Sequence, residues 1–330
     1  GPDRTSVLIA GGMHRGQSPE EIEKQLGPDV AERYSIGQHD ASDRSSLVDS
    51  GVTSFGTRCL FNREAAESAL VIGVGAVSFH YFAGYGGGRK IILPGIAGEE
   101  TILANHRLSL REDPGEGPAA GCAPGRLEGN PVHEDMVEGA ALFPASLMMV
   151  CAVAGAGGVP SFVCAGSVGQ SHLDAVEKLR AGFTLPLDRR YPAVIASAGG
   201  FPGDINLLQA HKAVRHASMA VRGGGILLVA ASCSEGIGSA SLEDAFARGR
   251  EGVIAAVRER YTLNSQAAMS ICRMTGRADI RFHSSLPEET LRMFGLGAWH
   301  PEDTASILEG IPAGDILVIG DSASFLPVAE

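Results

Sequence analysis

The chain is short of aromatic residues, which make up 5% of its 330 positions with a single tryptophan among them, and its six cysteines contain no C-x-x-C pair. Cys59, Cys122, Cys151, Cys164, Cys233 and Cys272 are scattered, which excludes a zinc knuckle or disulfide framework and leaves them as buried thiols. No apolar run approaches the roughly 18 residues of a membrane span, and no charged start followed by an apolar stretch marks a secretory leader. A cytoplasmic location and no membrane partner are therefore expected. Basic clusters are also missing from a chain of net charge -11, which argues against nucleic acid as a partner.

Glycine is abundant instead. The 44 glycines are about twice the usual share of ~7%, as in a protein with many tight turns around ligand loops. At this length two domains are the default. Short apolar runs alternate with helical patterns: Ser6 to Ala10, Leu70 to Val74, Ala193 to Ser197, Gly225 to Ala231 and Asp315 to Gly320 read as strands. Between them lie helices opened by Ser18 and Pro19, by Glu99 to Thr101, near His133, and over 172–180, 206–217 and 242–248. This predicts an α/β protein with mainly parallel sheets, in two domains with a cleft between them. A Pro- and Arg-containing connector around Gly182 to Pro192 sets the domains at 1–186 and 187–330. Leu147 to Val163 reads as a hairpin or two buried strands, and the acids after His133 as partners of a helix dipole.

The densest stretch is Val77 to Leu108, which holds His80, the pair Tyr81 and Phe82, the glycines Gly84, Gly86, Gly87 and Gly88, then Arg89, Lys90 and His106. Glycines in a row let backbone amides approach an anion, so Gly86 to Lys90 can cradle a phosphate or carboxylate. Taken alone, GGGRK reads as a surface turn with two solvated cations rather than a ligand cradle, and it fits neither a Walker loop nor a dinucleotide fingerprint. His14 lies on the loop after the first strand and His80 just beyond the second, where open parallel sheets keep ligands.

The segment HYFAGYGGGRKIILPGIAG with a following NH resembles the central signature of the lactate racemase (LarA) family. The resemblance continues through IAGGMHRG (9–16), the pair His39 and Asp40, LEGNPVHEDM (127–136), SAGGFPGDINLLQAHKA (197–213) and CSEGIG (233–238). It implies an isomerase: a racemase or epimerase of small 2-hydroxyacids that works by hydride transfer to and from a lysine-tethered nickel-pincer nucleotide. By position, Lys90 is the tether within Gly86, Gly87, Gly88 and Arg89, His106 is the nickel ligand, His14 and His80 are the acid/base pair, and Gln209 and Lys212 hold the substrate carboxylate. The implied partners are the substrate and the cofactor maturation enzymes.

The family's upstream D-x-T-R-P segment is not in this sequence, which begins GPDRTS; either the chain is a truncated form or it holds the nucleotide differently. Leu208 stands where the family has tyrosine beside Gln209, Ser265 where it has tryptophan near Gln266, and Phe79 where it has the proline before the first signature histidine. Lost aromatic volume predicts a larger hydroxyacid than lactate. Two other readings are a degenerate non-catalytic relative that binds an anion or nucleotide, and a hydrolase holding zinc on His14, His80 and His106.

Overall fold

Ser18 opens the first helix, Pro19–Leu26, through a reciprocal cap: its hydroxyl accepts from Glu21 N at 3.3 Å while its own N donates to the Glu21 carboxylate at 2.8 Å. The computed structural model describes residues 2–155 and 158–329. The fold is mixed α/β with mainly parallel sheets.

Two compact units are present, one made of Gly1–Val77, Gly86–His106 and Pro131–Lys178, the other of Ser78–Tyr85, Arg107–Asn130 and Leu179–Glu330. The sequence pointed to one connector between 182 and 192. The chain instead passes from unit to unit after Val77, Tyr85, His106, Asn130 and Lys178. The expected connector contains a strand, Thr184–Leu187, paired in parallel with Leu326–Ala329.

In the first unit, Ser6–Ile9 pairs in parallel with Ser35–Gln38, and Leu70–Ala76 pairs in parallel with Ser146–Ala154. The latter pairs antiparallel with Pro160–Gly166, the expected hairpin. Gly73 belongs in its strand because a Cβ there would sit 2.4 Å from the Met149 sulfur. Phe61, Ile92, Leu93, Met136 and Met149 form the buried centre, with Phe61 edge-on to Phe143 at 5.4 Å.

The second unit is a parallel five-stranded sheet in the order Gly297–Ala298, Asp279–His283, Val221–Ala230, Tyr191–Ser197, Ile316–Ile319. The chain moves outward in one direction from Tyr191–Ser197 and finally returns to its other side, a topological switch point of the kind that collects ligands at strand carboxyl ends. The core joins Val194, Leu227, Val229 and Phe282 of the strands to Leu207, Ala210 and Val214 of one helix and Ile271 of another. Among the described residues no helix is long and apolar enough to cross a membrane.

Candidate functional site

In the first unit, the loop bearing His14 is pinned to the chain that follows Lys90. Gly12, at φ 55°, donates to Gly95 O at 2.9 Å, and Gly95 N donates to Lys90 O at 2.9 Å. A Cβ on Gly12 would meet Pro94 O at 3.3 Å, so this contact favours glycine on both counts. His14 is exposed at the edge of a cavity of about 390 Å³ also lined by His39, Asp40 and Glu99. His39 is held by Ala97 O at 2.9 Å, and burial keeps its pKa below the ordinary histidine value.

Lys90 lies half-buried in the short 3-10 turn Gly88–Ile91 that ends the glycine run. The glycines are demanded by the protein's own packing: a Cβ on Gly87 would lie 2.4 Å from Ala76 O, and one on Gly88 2.6 Å from His172 Nδ1. Arg89 points inward, 1% exposed, with its guanidinium 2.8 Å from His172 Nε2. The turn thus holds Lys90 in place from inside the unit.

His106 stands in the last turn of the helix Glu99–Arg107. Its pKa is pushed down to about 3, first by burial and then by the charges of Lys90 and His14, which brings these three sequence-predicted residues into one electrostatic neighbourhood. The tautomer follows from a chain of hydrogen bonds. Asp135, fully buried, accepts from Thr53 and Thr57 hydroxyls and from Asn105 Nδ2 at 2.8 Å. Asn105 Nδ2 also donates to Val132 O at 3.2 Å, so its Oδ1 is the atom facing His106 Nδ1 at 3.1 Å. The proton of neutral His106 is therefore on Nδ1 and Nε2 is the basic nitrogen. Asp135 was expected among the acids serving a helix dipole; Glu134 occupies that first turn, while Asp135 orients Asn105. The available signal was NPVHEDM, where Asp135 falls one turn from Val132 and beside Met136 on the buried face.

In the second unit, His80 ends the two-residue strand Phe79–His80, paired antiparallel with Gly84–Tyr85. Ala83 N donates to its Nδ1 at 3.2 Å, which puts the proton of the neutral ring on Nε2. Tyr81 stacks on His80 at 5.1 Å and Phe82 meets it edge-on at 4.6 Å. Tyr81 also packs edge-on to His211 at 4.8 Å.

Gln209 and Lys212 lie on the helix Leu207–Ala217, capped by Asn206, at the carboxyl end of Tyr191–Ser197. Lys212 Nζ donates to Gln209 Oε1 at 2.6 Å. That bond occupies the amide oxygen and leaves the Gln209 NH2 and the remaining ammonium hydrogens as donors, an arrangement suited to a carboxylate. Burial pushes the Lys212 pKa down to about 8. Leu208 is half-buried on the same turn. Ser265 is not an open wall: it is 4% exposed and its hydroxyl accepts from Thr262 N at 2.9 Å. Tyr261 donates to Gln266 Oε1 at 2.6 Å. Among the described residues no group of three or more His, Cys, Asp or Glu is placed to hold a metal ion, which leaves the three-histidine zinc reading without support.

Comparison with known proteins bears on both halves of the chain. Residues 2–117 match the model of the lactate racemase N-terminal domain, and residues 189–272 that of the lactate racemase C-terminal domain. The lactate racemase of Lactiplantibacillus plantarum is 34% identical over 244 residues, covering 72% of this chain and 54% of that protein. The lactate racemase of Thermoanaerobacterium thermosaccharolyticum is 32% identical over 235 residues, covering 70% of this chain and 53% of that protein. The chain belongs to the lactate racemase family. It spans about half the length of these curated relatives. The lactate racemase N-terminal match contains His14, His80, Lys90 and His106, and the C-terminal match Gln209 and Lys212. The solved lactate racemase apoprotein from Thermoanaerobacterium thermosaccharolyticum superposes with a TM-score of 0.89 at 27% identity, over 98% of this chain and 78% of that one. A Thermotoga maritima protein shares the fold, with a TM-score of 0.75 at 17% identity over 98% of this chain and 85% of that one.

Proposed function

We propose that this chain racemises or epimerises 2-hydroxyacids with a nickel-pincer nucleotide as its cofactor. The observation that carries the reading is the buried relay from Asp135 through Asn105 to His106. It fixes a neutral imidazole with Nε2 as its basic nitrogen beside the charges of Lys90 and His14. An oriented neutral imidazole is the ligand a borderline metal such as nickel requires. His106 would hold the metal and Lys90, set by the Gly86 to Gly88 turn and anchored through Arg89, would tether the nucleotide. When bound, that group supplies a reversible hydride acceptor for the carbon bearing the hydroxyl.

The remaining work belongs to the chain's own side chains. Lys212 and Gln209 bind the substrate carboxylate through donors only. His80, with its proton on Nε2, is the member of the acid/base pair poised to donate; His14 is the member that accepts, and the roles exchange for the opposite enantiomer. The test is the protein produced together with the cofactor maturation enzymes. Intact mass reports an adduct on Lys90, and chiral chromatography follows lactate, malate, longer hydroxyacids and sugar acids from each enantiomer. Interconversion of a panel member by loaded protein, abolished by Lys90→Ala, is the expected result. Loaded protein of verified mass that converts none of them refutes the racemase reading in favour of a non-catalytic relative.

A further inference from the structure

A cavity of about 320 Å³ lies wholly within the second unit, and its wall carries six arginines: Arg190, Arg215, Arg222, Arg250, Arg273 and Arg277. One acid, Glu116, shares the lining, and it is already paired with Arg111 at 3.5 Å. None of the six guanidinium groups forms a hydrogen bond or ion pair with a described residue. In a chain of net charge -11, six unneutralised cations around one hollow are a local inversion of sign.

Arg215 is the most buried of the six, and the other five are exposed. Burial, together with Arg273, Arg277 and Arg190, pushes the Arg215 pKa down to about 10, so these groups are close enough to repel one another. Arg250 and Arg273 are held against backbone: a Cβ on Gly276 would lie 2.7 Å from the Arg250 guanidinium, and one on Gly117 3.0 Å from that of Arg273. Another unfilled demand sits in the same wall. The Ser270 hydroxyl is buried and has no hydrogen-bond partner among the described residues, a state that costs free energy unless a ligand supplies the partner.

We infer that this cavity binds a small molecule carrying two or more phosphate groups. Its size falls at the lower end of small-ligand sites, about 300–1,000 Å³. A guanidinium fork matches phosphate oxygens two at a time, and linked phosphates present several such edges and several charges in a small volume, whereas one carboxylate satisfies a single fork. Leu110, Ile254 and Met269 line the same cavity and offer apolar surface to the rest of the ligand. The site is independent of the racemase reading, since it uses none of the residues given a catalytic role there.

Titration calorimetry of the 330-residue protein with inorganic pyrophosphate at low salt tests the assignment, with citrate as the carboxylate comparator. The expected result is one pyrophosphate per chain, weakened by added salt and bound more tightly than citrate. Arg273→Gln with Arg277→Gln should lower the affinity at least about tenfold, the loss of one or more charge-assisted bonds. Arg190→Gln with Arg222→Gln should do the same, with circular dichroism verifying the fold of each variant. Arg33→Gln, exposed in the first unit, should leave binding unchanged. No binding by the native protein, binding that survives both double substitutions, or citrate bound as tightly as pyrophosphate overturns the proposal.

Discussion

Replacing Asp135 by Asn keeps the shape of the side chain and turns one of its acceptors into a donor, which makes it a direct test of the relay to His106. An ionised carboxylate only accepts, so it allows one orientation of the Asn105 amide: Nδ2 toward Asp135 and Val132 O, Oδ1 toward His106. Turning that amide over would forfeit a bond to a charged group, about 1.5–3 kcal/mol, and a neutral one of about 1 kcal/mol. The native orientation is thus favoured by roughly 3 kcal/mol, on the order of a hundredfold. In Asp135→Asn the new amide can offer either an oxygen or an NH2 group to Asn105. The preference then falls to within about 1 kcal/mol, and the His106 proton divides between Nδ1 and Nε2. A stability loss of about 1–3 kcal/mol should accompany it, read by urea unfolding. Nitrogen NMR of histidine-labelled protein without cofactor, assigned with His106→Gln, reports the tautomer. A native spectrum with the His106 proton on Nε2, or a variant spectrum identical to the native one, refutes the argument.

Acid should destabilise the protein well above the carboxylate range. His106, His172 and His211 have folded pKa values lowered to about 3, and His133 and His216 to about 4, burial being the leading cause in each. Since the folded values lie below the unfolded one of about 6.5, the stabilisation is complete above pH 6.5 and is lost progressively as pH falls through about 4 to about 3. Each group contributes up to about 1.4 kcal/mol per pH unit. A melting temperature that stays flat between pH 6.5 and 4.5 would contradict these burials. Lys212 predicts an effect at the other end of the scale. With its pKa lowered to about 8, the ammonium is charged at neutrality and lost above pH 8, so KM for a hydroxyacid should rise there while kcat changes less. Lys212→Gln should raise KM about ten- to a hundredfold and abolish that alkaline limb; an unchanged KM would remove Lys212 from substrate binding.

The helices that were legible in the sequence are those with a cap or a buried period. Ser18, Pro19 and Glu21 fix a helix start in four residues, and Asn206 does the same for the helix bearing Gln209 and Lys212. The alternation of strand and helix gave the parallel sheets, because strands such as Tyr191–Ser197 and Val221–Ala230 carry an apolar run and end in a loop holding glycines; Asp279–His283, with no such run or loop, was not legible. The glycine run was open to two interpretations because φ and close approach are invisible in sequence; the contacts of Gly87 and Gly88 with Ala76 and His172 come from residues 11 and 84 positions away. Asp135 was misread because a carboxylate in a first helical turn looks the same whether it faces water or the core. The arginine cavity had no sequence signature at all, since its cations are spread from Arg190 to Arg277 without clustering.

The repeated passage of the chain from unit to unit bears on how the protein can be dissected and how it gains its structure. Residues 78–85 and 107–130 are early in the chain, yet they are completed by residues far downstream: Phe79 by His216, Tyr81 by His211, and Asp113 by Arg258. A polypeptide ending at residue 186 would carry both segments with their apolar side chains and no core to receive them. Neither unit is therefore a contiguous, autonomous folding block, and a fragment made from one half alone invites aggregation rather than a stable subdomain. The histidine proposed to donate a proton sits on one of these excursions: its strand pairs locally with Gly84–Tyr85, yet the packing on its neighbours Phe79 and Tyr81 is completed only by His216 and His211, more than a hundred residues later. Loop closure over that separation makes completion of the packing around His80 a late event in folding.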